Sequence, residues 1–331
     1  MSYSDSITRT NAAALIPEVV SDALLQSVTE ASCVMRLARK LPNMSTATTR
    51  MPVISALPTA YFQTSDNSLA QTTSVEWANK YIYAEELTAI VPVPKNVLDD
   101  AGYPIWDQVS PLLAEALAVK FDGAVLYGTD CPSTWATALG TTSTAYAGIV
   151  ARCTAASQTL SLAAYTDLYE ALLGETAAGT DGVLMAIEAD GFMATGHIAH
   201  TSMRGKLRNC RDSEGQPIFK SGDNIGTSFA TGMLDGSPIL YPLNGSIVAG
   251  SSLLISGDWS KLVYAMRRDM TIEKSDQATI TDAQGKTVFN LWQQNMVAIK
   301  VSMRLGVALP NPINRMNETE LTRCPFAVLT A

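Results

Sequence analysis

Residues that could do chemistry are few in this chain and widely spread. Its two histidines, His197 and His200, are spaced as HxxH. That spacing would serve a metal ion only with a third ligand, which Cys210 or Glu188 would have to supply. The plainer reading is a pair at a strand end with ordinary hydrogen bonds. Either histidine could also act as the base of a hydrolase, because serines and aspartates abound, yet no G-x-S-x-G elbow exists to present a nucleophile. Neither G-x-x-x-x-G-K-[ST] nor G-x-G-x-x-G occurs, so nucleotide binding has no support. Glu85-Glu86 and Asp99-Asp100 are acidic pairs of the kind used in acid–base work. They read better as the flank of a strand and the cap of a long helix. Arg267-Arg268 is a lone basic pair, better suited to a neighbour's acids than to DNA. The five cysteines (Cys33, Cys131, Cys153, Cys210 and Cys324) are odd in number, scattered and without a CxxC pair. A disulfide framework or zinc site is therefore not expected, and a reducing cytoplasm is the simplest setting. No catalytic residue, metal ligand or cofactor is assigned.

Composition turns attention from catalysis to association. Only 16 % of the 331 residues are charged, against 47 % apolar. A monomer normally carries about 25 % charged residues, so much of this surface is expected to be covered by other subunits. No apolar run reaches the length of a membrane span, and the first residues lack the basic start and apolar stretch of a secretory signal. The formal charge of −8, from 31 acids and 23 bases, disfavours a coat of nucleic acid. It would suit the lining of a container that must not trap packaged DNA.

The elements that would position these residues are mixed. Residues 1–14 read as a polar arm that orders against a partner. A helix is expected from Pro17 to Lys40, with Val20, Leu24, Val28, Ala31 and Met35 at helical spacing and Pro42 as its stop. From 43 to 92 the pattern alternates, and two extended limbs joined through the polar stretch Gln63–Thr73 predict a long β-hairpin. A spine helix follows, capped near Asp99-Asp100 and ending at Tyr127-Gly128. Its stripe comprises Ile105, Val109, Leu112, Leu113, Ala116, Leu117, Ala124 and Val125. Further strands are expected at Ala147–Val150, Val183–Ile187, Gly196–His200, Ile239–Tyr241, Leu253–Ile255, Leu262–Met266, Met270–Glu273, Met296–Leu305 and Cys324–Leu329. A helix over Leu162–Leu172 should end at Gly174, and Thr201 should cap a further short helix. The class is α+β without regular βαβ alternation.

Three later segments carry a resemblance: Arg211–Phe219, a helix running into a turn; Gly236-Ser237-Pro238-Ile239 at the head of an apolar strand; and Gly257-Asp258-Trp259-Ser260 before a strand pair ending at Met303–Ala308. With the arm, hairpin and spine helix in the same order, they resemble the tailed-phage major capsid proteins of the Hong Kong 97 type. That resemblance implies a Hong Kong 97-like capsid fold: an N-terminal arm and helix (1–42), an E-loop hairpin (43–92), a P-domain with the spine helix (93–160 and 256–305) and an A-domain (161–255 and 306–331). It implies hexamers and pentamers of identical subunits in an icosahedral shell around double-stranded DNA, assembled in the host cytoplasm. Separate scaffolding, portal and cement proteins are the expected partners; DNA would be held with little specificity, and no membrane is involved. The expected contacts between subunits are Arg36, Gln63, Asp66, Gln71, Arg267, Arg268 and Arg304, the last at a position where the family usually has Arg.

Some members weld their subunits by a Lys–Asn isopeptide bond that needs a Glu as base. Here Asn295 stands at the matching Asn position, but Ser302 replaces the Glu and no lysine occurs between Lys40 and Lys80. No autocatalytic cross-link is expected. The same fold type also serves encapsulin-like compartments, which hold protein cargo; a soluble α+β hydrolase using His197 or His200 is the reading from another class.

Overall fold

The thirteen-residue strand Met296–Ala308 organises the fold. Its odd-numbered side chains from Ile299 to Val307 are apolar and buried in the main core, as strand alternation dictates. Antiparallel neighbours flank it, Val263–Ser275 on one side and Glu85–Pro94 on the other. The short strand Arg39–Lys40 extends this four-stranded sheet in parallel beside Val263. In this computed structural model, residues 32–63, 69–100, 105–175, 180–211, 232–282 and 284–331 are described. The arm, most of the N-terminal helix and the Asp212–Phe219 turn lie outside them. Of the N-terminal helix expected to reach Lys40, Cys33–Leu37 is described; it stops at Leu37 because Ala38 is extended and Arg39-Lys40 pair as a strand.

A second sheet has six strands in the order Thr159–Ser161, Phe326–Thr330, Leu254–Gly257, Gly196–Ala199, Ser237–Leu240 and Met233–Leu234. Its centre is wholly buried, and Trp259 joins its core to the rest. The Trp259 indole donates to Gly196 O at 2.9 Å, and its ring meets Phe326 edge-on with centroids 5.0 Å apart.

The spine helix runs from Ile105 to Tyr127, a length of about 35 Å. Its buried stripe is Leu113, Leu117, Phe121 and Val125, with Ala114 and Ala118 beside it. Of the expected stripe, Leu113, Leu117, Ala124 and Val125 are buried, while Leu112, 63 % exposed, and Ala116 face outward. Asp99-Asp100 close a separate short helix, Lys95–Asp100, rather than capping the spine. Ala147–Val150 and Val183–Ile187 are not strands. Helices occupy Ile149–Ala155 and Val183–Ala189, because Ile149, Arg152 and Cys153, and likewise Val183, Leu184 and Ile187, bury one helical face. A 3-10 turn at Leu162–Ala164 and a helix at Leu168–Leu173 replace the single helix expected there. Gly174 ends the latter with φ +99°. The helix Thr201–Asn209 is capped by the His200 side chain, one residue earlier than expected. Leu262–Met266 and Met270–Glu273 belong to one bulged strand.

Candidate assembly surface

The hairpin is narrower than its 43–92 pattern suggested. Thr48–Ala56 pairs antiparallel with Glu76–Tyr83, while Glu85–Pro94 turns away into the four-stranded sheet. A two-stranded ribbon is marginal alone in water, so what holds its root decides its direction. Three devices do this. Gly306 of the central strand has no side chain where Ile82 and Tyr83 cross; a Cβ there would lie 2.5 Å from both Ile82 Cγ2 and Tyr83 O. The Trp135 indole donates to Tyr83 O at 3.0 Å, and Thr134 donates to Glu85 at 2.7 Å.

The third device is ionic. Lys80, with its side chain 7 % exposed, places Nζ 2.8 Å from Glu320 Oε1 and donates to Gly140 O at 3.1 Å. Glu320 also accepts from Thr142 N and Oγ1. Burial opposes ionisation of this carboxyl, but the hydrogen bonds and charge of Lys80, with those of Thr142, outweigh it and hold Glu320 below the usual glutamate range. The strap that carries Glu320 is itself braced. Arg323 donates to Asn317 O and Asn311 O, and Arg315 reaches Pro58 O at 2.7 Å.

Beyond this root the ribbon exposes apolar groups. Phe62 and Leu69 are 101 % and 93 % exposed, and Tyr61, Trp77 and Ile54 are exposed as well. Covering one such side chain would yield roughly 1.5–3 kcal/mol. A cluster this apolar on an otherwise polar ribbon is the mark of a surface made to be covered.

Of the residues expected at subunit contacts, Gln63 and Gln71 are exposed on this outer part, and Asp66 lies outside the described residues. Arg36 is exposed on the helix Cys33–Leu37, far along the chain from them. Arg267 is half-buried. Arg268 is exposed and bonds within its own chain, to Glu86 at 3.4 Å and Ser302 Oγ at 3.1 Å. Arg304 donates to Ala84 O at 3.3 Å. Arg268 and Arg304 thus brace the hairpin root internally. Sequence reasoning missed Lys80, Glu320, Trp135 and Gly306. Lys80 alone left a signal, as a cation on an inward-facing position of an alternating strand.

A second anchor lies on the spine helix. Buried Asp122 accepts from Ser32 Oγ at 2.6 Å, Cys33 N at 3.0 Å and Val34 N at 3.4 Å. It so pins the start of the helix that follows the arm. Burial pushes this carboxyl up to about 6, against the three hydrogen bonds that favour its charge.

The histidines are engaged inside the fold. His197 is fully buried, with Nδ1 2.8 Å from Ser256 Oγ and Nε2 3.2 Å from Leu234 O. Burial lowers it to about 4, so it is neutral at pH 7. Its serine partner is equally buried, leaving no room for a substrate. His200 caps its helix through Ser202 N.

The family model described as "Phage capsid family" matches residues 12–314 of this chain. The "Major capsid protein" of Staphylococcus phage 80alpha is 24 % identical over 291 residues, covering 86 % of this chain and 78 % of that protein. A solved chain from Microbacterium phage Oxtober96 superposes with a TM-score of 0.74 at 28 % identity, covering 96 % of this chain and 93 % of its own. One from Mycobacterium phage Cain gives 0.72 at 26 % identity, with 98 % of each chain covered. The mixed helices and strands described above match those structures.

Proposed function

This chain belongs to the phage capsid family, and from that premise we propose that it is the major capsid protein of a tailed phage, building an icosahedral shell from hexamers and pentamers of itself around double-stranded DNA. The observation that carries the proposal is the rigidly rooted ribbon with uncovered Phe62 and Leu69. Such a ribbon gains its stability by lying across a neighbouring copy. We assign it as the E-loop, with 1–42 as the arm and helix, 93–160 and 256–305 as the P-domain, and 161–255 and 306–331 as the A-domain of a Hong Kong 97-like subunit. Gln63, Asp66, Gln71, Arg36 and Arg267 are proposed to meet neighbours. Scaffolding, portal and cement proteins would be separate chains, and assembly would occur in the host cytoplasm.

Burial at roughly 25 cal/mol per Å² would drive assembly. Ordering and association costs offset much of it, so each contact stays weak and correctable. Closed symmetry limits growth. No self-made covalent weld is proposed. Ser302 is buried between Thr271 and Arg268 where a base would be needed, and Asn295 faces Asn96 at 3.3 Å.

Electron microscopy of the purified protein tests the reading. Large hollow particles are expected, and the paired change Phe62→Asp with Leu69→Asp should leave folded but unassembled subunits. A monodisperse small particle at high concentration from the unaltered chain would refute the shell. Particles filled with protein rather than DNA after phage-type expression would favour the compartment reading. Ladders on denaturing gels of mature particles would overturn the absence of a weld.

A further inference from the structure

Cys153 and Cys324 lie 171 positions apart in the chain, yet their sulfurs are 3.8 Å apart in the core. Both are fully buried. Their backbones are held from several sides. Cys324 N donates to the buried Asp190 carboxylate at 2.8 Å, and that carboxylate also accepts from Gln158 and Asn317. Arg152, next to Cys153, donates to Glu320 O at 2.5 Å, Arg323 O at 2.8 Å and Leu321 O at 3.2 Å. The helix Ile149–Ala155 and the strap 320–324 are therefore fixed against each other, and the two thiols meet across that seam. The other three cysteines are partly exposed and have no such partner sulfur among the described residues.

We propose that Cys153 and Cys324 form a latent disulfide site, closed by a hydroperoxide-class oxidant when the protein passes from reducing to oxidising surroundings. One thiolate attacks the peroxide oxygen, giving a sulfenic acid and releasing hydroxide. The second sulfur then attacks the first, forms the S–S bond and expels the sulfenic oxygen as water. In balance, two thiols and one peroxide give one disulfide and two waters; the sulfurs lose two electrons and the peroxide gains them. A peroxide is small enough to reach a buried pair through brief local openings, where a bulky disulfide reagent is not. The Cys153 thiol donates to Phe326 O at 3.3 Å, and burial raises it. The sulfurs at 3.8 Å must still close to about 2.05 Å, the length of a disulfide bond. The bond would staple the helix Ile149–Ala155 to the strap that carries Glu320, and so stiffen the support of the hairpin root. This inference rests on the thiol pair alone and stands whether or not the chain forms a shell.

The test uses the full chain carrying Cys33→Ser, Cys131→Ser and Cys210→Ser, treated with hydrogen peroxide, then alkylated under denaturing conditions. Expected are loss of both remaining free thiols, a mass 2 Da lower, and one proteolytic cross-link joining the Cys153 and Cys324 peptides. The thermal midpoint should rise by roughly 5 °C and fall back on reduction. Cys153→Ala in the same background should fold, lose the cross-link and show no oxidative gain. Addition of one, two or three oxygens at either sulfur without cross-linking would overturn the proposal. So would a cross-link that leaves the thermal midpoint unchanged.

Discussion

Replacing Lys80 by Met tests whether an ionic brace sets the hairpin's direction. The change keeps the unbranched apolar stem and removes the charged Nζ that meets Glu320 and Gly140 O. Breaking a fully buried pair costs about 3–5 kcal/mol, and an exposed pair is worth less than about 1 kcal/mol. Here the Lys80 side chain is 7 % exposed and that of Glu320 30 %. Water can reach the orphaned carboxylate, and Thr142 still donates to it twice. A cost of about 2 kcal/mol follows, equivalent to roughly thirtyfold in the opening equilibrium of the root. Amide hydrogen exchange should show that loss of protection across Glu76–Tyr83, with the buried strand Leu254–Gly257 unchanged. Glu320 adds a pH dependence. Its folded carboxyl sits below the ordinary value, so its contribution is complete above about pH 4.3 and is lost as pH falls through the folded value. Lys80→Met should largely abolish this acid loosening. Equal exchange in variant and parent would refute the brace. So would Lys80→Met and Glu320→Gln effects that simply add in the double variant.

Other substitutions probe the remaining supports. Gly306→Ala forces a Cβ against Ile82 and Tyr83 O, and should lower stability by about 1–3 kcal/mol in urea unfolding, with the exchange change centred on the root. Trp259→Ala removes the Gly196 bond and the Phe326 contact; a loss of about 3–5 kcal/mol in the same assay is expected. Asp122 is raised to about 6, so the folded state holds its proton more tightly than the unfolded one. Stability from this group is complete below about pH 3.9 and is lost as pH rises through 6. Asp122→Asn should remove that slope, seen as the difference between variant and parent urea midpoints across pH 4–7.

Strong periodicity was readable in the sequence. Met296–Leu305 alternates over enough residues that only a strand satisfies it, and the spine helix declares its length through its apolar spacing. Short apolar runs were not readable. Val183–Ile187 is equally apolar as strand or helix, and its choice of helix depends on which face the second core covers. The spine's face was placed by Leu113, Leu117, Ala124 and Val125, but Leu112 and Ala116 were wrongly included, and Phe121 and Ala114 reveal their burial only once packed. The hairpin was legible by its alternation, but the exposure of Phe62 and Leu69 on either side of its polar stretch was not. Its root was hidden because Lys80, Trp135, Gly306 and Glu320 come together from four distant segments. Arg268 and Arg304, expected to face neighbours, also have partners within the chain, Glu86 and Ala84 O, that only the folded strands bring to them.

The strand Phe326–Thr330 lies inside the six-stranded sheet, between Thr159–Ser161 and Leu254–Gly257. It is synthesised after every other strand of that sheet. A ribosome-bound fragment therefore has a gap where this strand belongs, and its second layer cannot close until translation has passed residue 330.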